Sequence, residues 1–209
     1  YGYVLGGYNS GFTLLSSAER RAFSTGVTAA ISATLSAVRT SRMSQSLSDG
    51  SIYGYTMGGS STGGVAGGVT TTDRLTFSTS AIAASTASNV SVARSDIGTV
   101  SDGAVYGYTC GGYNTSVAPV TTGDRTTFST SATAALTTAN LSVARAGLNG
   151  VSDGATYGYF SGGNTTNVSD YVTTSDRLTF STSVVAAATA SNLPAARSFT
   201  ASAFSDGAV

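Results

Sequence analysis

The chain has 209 residues, of which 41% are apolar and 10% charged, with 26 glycines, 2 prolines, 1 cysteine, no histidine and no net charge. That length bounds it to one or two domains with room for a buried core. A slightly positive mean hydropathy without net charge excludes a disordered chain.

No basic field exists to attract nucleic acid and no Arg-rich run to hold an anionic membrane, so neither partner is expected. No apolar run reaches the roughly 18 to 20 residues of a membrane span. All 10 cations are Arg. Without lysine there is no Schiff-base chemistry and no P-loop lysine, and without histidine the commonest general base and metal ligand are missing. Cys110, being alone, forms no internal disulfide and no Cys-x-x-Cys site. No cofactor and no metal site is expected.

Taken in order, the chain repeats itself. Tyr-Gly-Tyr begins at Tyr1, Tyr53, Tyr106 and Tyr157, at spacings of 52, 53 and 51 residues, and two residues after each comes Gly-Gly. The repeats run 1–52, 53–105, 106–156 and 157–209, and make this a repeat protein of one domain. Each unit continues through a variable Gly/Asn/Ser/Thr segment, an Asp-Arg-x-Thr-Phe-Ser-Thr-Ser stretch, an Ala-rich stretch, an Asn-Leu-Ser-Val-Ala-Arg segment and Ser-Asp-Gly-Ala-Val.

Thr, Tyr, Phe and Val in short alternating runs, punctuated by Gly, predict strands. In Tyr-Gly-Tyr the alternation puts both tyrosines on one face, and the Gly between them admits a neighbouring sheet. The Gly-Gly pair reads as a strand end with special backbone angles. A hairpin turning at Ser-Thr-Ser is expected to pair residues 177–181 with 184–188. The Ala stretches read as strands with small side chains. Asp-Gly suits the positive φ of a tight hairpin, so residues 148–152 are expected to pair antiparallel with 155–162. Four strands in about 50 residues make the blade of a propeller.

Sixteen of the 20 charges fall at repeated positions. These are the Asp-Arg pairs Asp73-Arg74, Asp124-Arg125 and Asp176-Arg177, with Glu19-Arg20 in the divergent first copy. The others are the arginines Arg39, Arg94, Arg145 and Arg197 and the aspartates Asp49, Asp102, Asp153 and Asp206. A set used once per blade reads as a structural clamp, with Asp73, Arg94 and Asp102 and their equivalents mutually bonded. The sharper alternative is an arginine and aspartate cluster at the axis, as in a glycan-processing enzyme.

A Gly-Gly strand end, a variable loop, a strand with a polar pair and an aromatic, then Leu-x-x-x-Arg resemble the kelch repeat. Here they are Gly58-Gly59, Asp73-Arg74, Phe77 and residues 90–94, with equivalents in the third and fourth copies. The Trp of many kelch units is missing throughout. The array looks most like kelch-like arrays of bacteriophage virion and tail-fibre proteins and of bacterial surface proteins. That resemblance implies an all-β propeller of four kelch-like four-stranded blades, placed outside the cell or on a virion.

The copies are cut so that the chain starts on the second strand of a blade. Pairing of residues 199–204 with 1–7 would close a four-bladed ring and remove an exposed edge. An open array continuing into an adjoining chain fits the same pattern.

Variation points to recognition. Segments 8–15, 60–68, 113–119 and 164–171 differ in every copy and lie on one face of a propeller. Tyr8, Phe12, Tyr113, Asn114 and Tyr171 are the candidate ligand-binding residues, in a neutral, hydroxyl-rich setting suited to glycans or another protein. The expected function is a non-catalytic binding or structural module of a virion or extracellular assembly, with self-association in a fibre or filament as a further partner mode. Asn89, Asn114, Asn140, Asn164 and Asn167 head Asn-x-Ser/Thr sequons.

Overall fold

The computed structural model describes residues 1–40, 46–166, 169–199 and 205. In the second, third and fourth copies the Tyr-Gly-Tyr run forms the second strand of a four-stranded antiparallel sheet. β4 (Ser46–Ser48), β5 (Tyr53–Met57), β6 (Thr72–Thr76) and β7 (Ala81–Ala84) make one sheet in chain order. β8 (Gly98–Ser101), β9 (Tyr106–Cys110), β10 (Gly123–Thr127) and β11 (Ala132–Ala135) repeat it, as do β12 (Asn149–Ser152), β13 (Tyr157–Ser161), β14 (Ser175–Thr179) and β15 (Val184–Ala187). The first sheet has three strands among the described residues: β1 (Gly2–Tyr8), β2 (Leu14–Arg21) and β3 (Thr28–Ile31). The result is an all-β, propeller-like array of four repeated blades.

The expected hairpins form, with shifted ends. Thr179 pairs with Val184, and the turn between them holds Ser183 at φ 54°. The Ala stretches are the exposed outermost strands β7, β11 and β15. At Ser-Asp-Gly the expected tight turn is replaced by a wider loop. Ser152 pairs with Gly158, and residues 153–157 close it. Gly154, at φ 73°, supplies the left-handed residue, and the Asp153 carboxylate accepts the N–H groups of Ala155, Thr156 and Tyr157. The aspartate side chain takes over the bonding that a two-residue turn would leave to the ladder.

The core lies between blades. Val100, Tyr108, Cys110, Leu141, Leu148, Phe160 and Leu178 pack as one cluster, and Leu47, Tyr55, Met57, Val90, Ile97 and Phe128 as another. Glycine makes the close approach possible: a Cβ on Gly107 would stand 2.5 Å from Leu47 Cδ1. The inner strands also bond across blades, Ser101 Oγ donating to Ser48 O at 3.1 Å and Ser152 Oγ to Ser101 O at 2.8 Å. With Ser205 they line a cavity of about 480 Å³.

Of the expected ring closure, residues 200–204 lie outside the described residues. Among the described residues β1 pairs with β2 alone. No helix among them is long and apolar enough to cross a membrane.

Candidate functional site

The repeated charges divide into three sets with different work. Arg39, Arg94 and Arg145 reach across a blade boundary to the aspartate of the following blade, Asp73, Asp124 and Asp176 respectively. Arg94 Nη1 also donates to the carbonyls of Gly111 at 2.7 Å and Thr122 at 2.6 Å, and its Nη2 to the Asp124 carboxylate. Arg39 makes the same contacts to Gly58 and Thr71, and Arg145 to Gly162 and Thr174. Each carboxylate further accepts a backbone N–H from the preceding blade, from Ser36, Ser91 or Ser142. Burial lowers the three guanidinium pKa values from the ordinary arginine value, and the facing carboxylates oppose that shift.

Arg94 therefore does not join Asp73 and Asp102, as the repeat pattern had led us to expect. Asp73 belongs to the clamp before it, and Asp102 turns inward on its own loop, accepting N–H groups from Ala104, Val105 and Tyr106. Three donors within four residues of Asp102 satisfy it locally, so no long reach across the blade is needed. Asp49 and Asp153 do the same. Asp206 lies outside the described residues.

The second residue of each Asp-Arg pair has a different role, which sequence reasoning missed. Arg20, Arg74, Arg125 and Arg177 lie over the rings of Tyr1, Tyr53, Tyr106 and Tyr157 at 4.3, 4.3, 4.4 and 4.5 Å. The register of β5 on β6 sets Arg74 directly beside Tyr55, two residues from Tyr53 on the same face. In the first three copies the second tyrosine of the motif bonds a serine of the next blade: Tyr3 with Ser80 at 3.0 Å, Tyr55 with Ser131 at 2.8 Å and Tyr108 with Ser183 at 2.7 Å. The signal was in the sequence, as the first Tyr of the motif and the Arg of the Asp-Arg or Glu-Arg pair recurring once in every copy.

Loop residues fall into two groups. Phe12 is 86% exposed, Tyr8 41% and Tyr171 50%, so these three are displayed. Tyr113 is fully buried: its hydroxyl accepts from Asn164 Nδ2 and stands 3.4 Å from Thr166 O. As a surface contact for a ligand it is corrected to a tie between neighbouring loops. It occupies the position of Tyr8, Ser60 and Asn164, where the residue after Gly-Gly bridges to an adjoining segment. Asn164 is buried with it, which removes it as a surface sequon, and Asn167 lies outside the described residues. Asn89 and Asn140 accept the N–H groups of Thr72 and Gly123 through their side chains, and so hold the strands of their own blades.

Asn114 is a loop organiser, its Oδ1 accepting N–H groups from Ser116 at 2.9 Å and Ala118 at 3.0 Å. Asn9 builds the same turn with Gly11 and Thr13. At its tip Phe12 has φ 57°, a left-handed conformation that costs a bulky side chain about 1–3 kcal/mol. The Tyr8 ring packs edge-on against it at 6.5 Å, and the Tyr8 hydroxyl donates to Gly63 O in the next loop. The loops are thus tied to one another.

Cys110 is buried in β9, its Sγ 3.2 Å from Ala139 O, and burial pushes its thiol pKa far up. Such a thiol is unreactive. Among the described residues no group of three or more His, Cys, Asp or Glu could hold a metal ion. No family model matches the chain. No curated protein matches it either.

Proposed function

We propose that the chain is a non-catalytic binding or structural module, built of kelch-like blades, that presents a hydroxyl-rich loop face to a glycan or a protein in an extracellular or virion assembly. The observation that carries this reading is Phe12. A large aromatic held at positive φ, 86% exposed and braced by Tyr8 and Asn9, is a strained residue kept on display. Tyr171 adds a second exposed ring. Aromatic rings among hydroxyls and amides stack on sugar faces or pack into a protein surface.

The enzymatic alternative needs carboxylates free to act on a substrate. Asp73, Asp124 and Asp176 are engaged in buried ion pairs, and Asp49, Asp102 and Asp153 each hold a loop, which favours the binding reading. The test is a glycan array probed with multimerised protein, beside Phe12→Ala and Tyr171→Ala. Multimers raise weak single contacts to a measurable avidity. Binding that both variants weaken supports the reading. Binding unchanged in both would place recognition elsewhere, and turnover of an arrayed glycan would favour the enzyme.

A further inference from the structure

Three blade junctions among the described residues are built from one set of contacts. At each, an arginine of the leading blade enters the following blade and meets a glycine carbonyl, a second strand carbonyl and a carboxylate. Beside it the second tyrosine of the leading blade meets an aromatic of the following one. The pairs are Tyr3 with Phe77 at 5.9 Å, Tyr55 with Phe128 at 5.8 Å and Tyr108 with Phe180 at 5.9 Å.

Among the described residues, the outer faces of the first and last blades carry the unmated halves of that junction. On the last blade Arg197 and Arg177 are exposed, Tyr159 and Leu193 are half-buried, and the Tyr159 hydroxyl has no hydrogen bond among the described residues. The equivalents Arg94, Tyr108 and Leu141 are all buried. On the first blade Phe23, equivalent to Phe77, is 74% exposed, and Glu19, equivalent to Asp73, is exposed without an ion-pair partner among the described residues.

We infer that the last-blade face of one copy binds the first-blade face of a second copy, head to tail, by the junction already repeated within the chain. Arg197 of one copy would donate to the Gly6 and Ser17 carbonyls and the Glu19 carboxylate of the next, as Arg145 does to Gly162, Thr174 and Asp176. Phe23 would cover Tyr159. The charges agree at the position of the clamp, with exposed Arg197 on one end and exposed Glu19 on the other. One position departs from the pattern. Gly26, at φ 71°, keeps the left-handed turn of Ser80, Ser131 and Ser183 without their hydroxyl, so this junction leans on Phe23 and Glu19. A heterologous interface of this kind gives a ring of copies if its rotation closes and a filament if it does not. The inference uses the blade junctions alone and stands apart from recognition by the loops.

Sedimentation of the 209-residue chain over a concentration series tests it. The expected result is mass that grows with concentration, weakened about tenfold or more by Arg197→Glu or Glu19→Arg alone and restored in the doubly swapped protein. Both residues are exposed, so the variants fold, which circular dichroism checks. Two pools carrying Glu19→Cys and Arg197→Cys separately are then mixed and oxidised. A disulfide-linked species containing one of each supports the inference. A monomer at every concentration, swaps without effect, or a Glu19→Cys/Arg197→Cys double variant that crosslinks within one chain would overturn it, the last in favour of a self-closed ring. Loss of glycan binding in Phe12→Ala with association intact would leave it standing, so the two readings fail separately.

Discussion

Arg94 and Asp124 face each other across a blade boundary with both side chains at 0% exposure, and neither belongs to the same copy of the repeat. The guanidinium directs Nη1 and Nη2 to the next blade, while its Nε has no hydrogen-bond partner among the described residues. Burying such a pair gains little net stability over a well-packed apolar contact, because desolvation offsets the attraction. Its effect is on geometry. Each planar fork accepts one placement of carbonyl and carboxylate, so the clamps set how one blade sits on the next.

Replacing Arg94 by Met should therefore destabilise the chain by about 3–5 kcal/mol, because Asp124 is left buried without its cation. Combining it with Asp124→Leu should recover most of that loss. Arg197→Met, at an exposed position, should stay within about 0.5 kcal/mol in the monomer. Urea unfolding at low protein concentration measures all three. An Arg94→Met protein as stable as the parent would mean that the clamp contributes nothing.

The Asp153 loop carries a pH dependence whose sign is fixed. Desolvation, the largest single effect, pushes the carboxyl up, but the backbone N–H groups of Ala155, Tyr157 and Thr156 together outweigh it, so its pKa lies below the ordinary 3.8. A depressed folded-state pKa contributes stability that is complete above the unfolded value and is lost as pH falls through the folded one. The stability difference between the parent and Asp153→Asn should be constant above about pH 5 and shrink below pH 4. Urea midpoints down the pH series read this directly, and a difference that never changes would show that the loop amides do not hold the charge.

Strand content and the fourfold use of one strand-rich unit were legible because each depends on a local pattern or on repetition. Tyr-Gly-Tyr with Gly-Gly marks a strand and its end wherever it occurs, and Cys110 sits in a slot shared with Leu5, Met57 and Ser161. Partner choice was not legible. Arg94 lies 8 residues before Asp102 and 30 before Asp124, and an exact repeat offers both with the same regularity. Only three dimensions reveal that Asp102 is already satisfied by its own loop.

The loop residues failed or succeeded for a comparable reason. Variability between copies marks the loop segments, yet it does not separate the pivot residue that bridges to the neighbouring segment from the tip that faces water. Tyr113 is a pivot and Phe12 a tip. A usable signal was the shared Asn-x-x-x spacing of Asn9 and Asn114, which places Phe12 and Val117 at the same left-handed position, φ 57° and 61°.

Two glycines with nearly the same backbone angle separate strain from space. Gly111 has φ 68° and Gly154 has φ 73°, so an alanine at either pays the left-handed penalty of about 1–2 kcal/mol. Around Gly154 a Cβ meets nothing within 4 Å, whereas at Gly111 it would stand 2.4 Å from Arg145 O and 2.8 Å from Leu141 Cδ1. The carbonyl cannot yield, because it accepts the N–H of Gly112 at 2.9 Å and the Arg145 side chain is locked into the next blade. Gly154→Ala should cost that strain alone, and Gly111→Ala should add an overpacking term of about 1–3 kcal/mol. The extra loss should vanish in an Arg145→Met background if the clamp is what holds the carbonyl in place. Urea unfolding of the two single variants and the Gly111→Ala/Arg145→Met pair decides this. Equal losses at the two glycines would mean that the blade junction gives way freely and that the close approach at Gly-Gly does not set blade spacing.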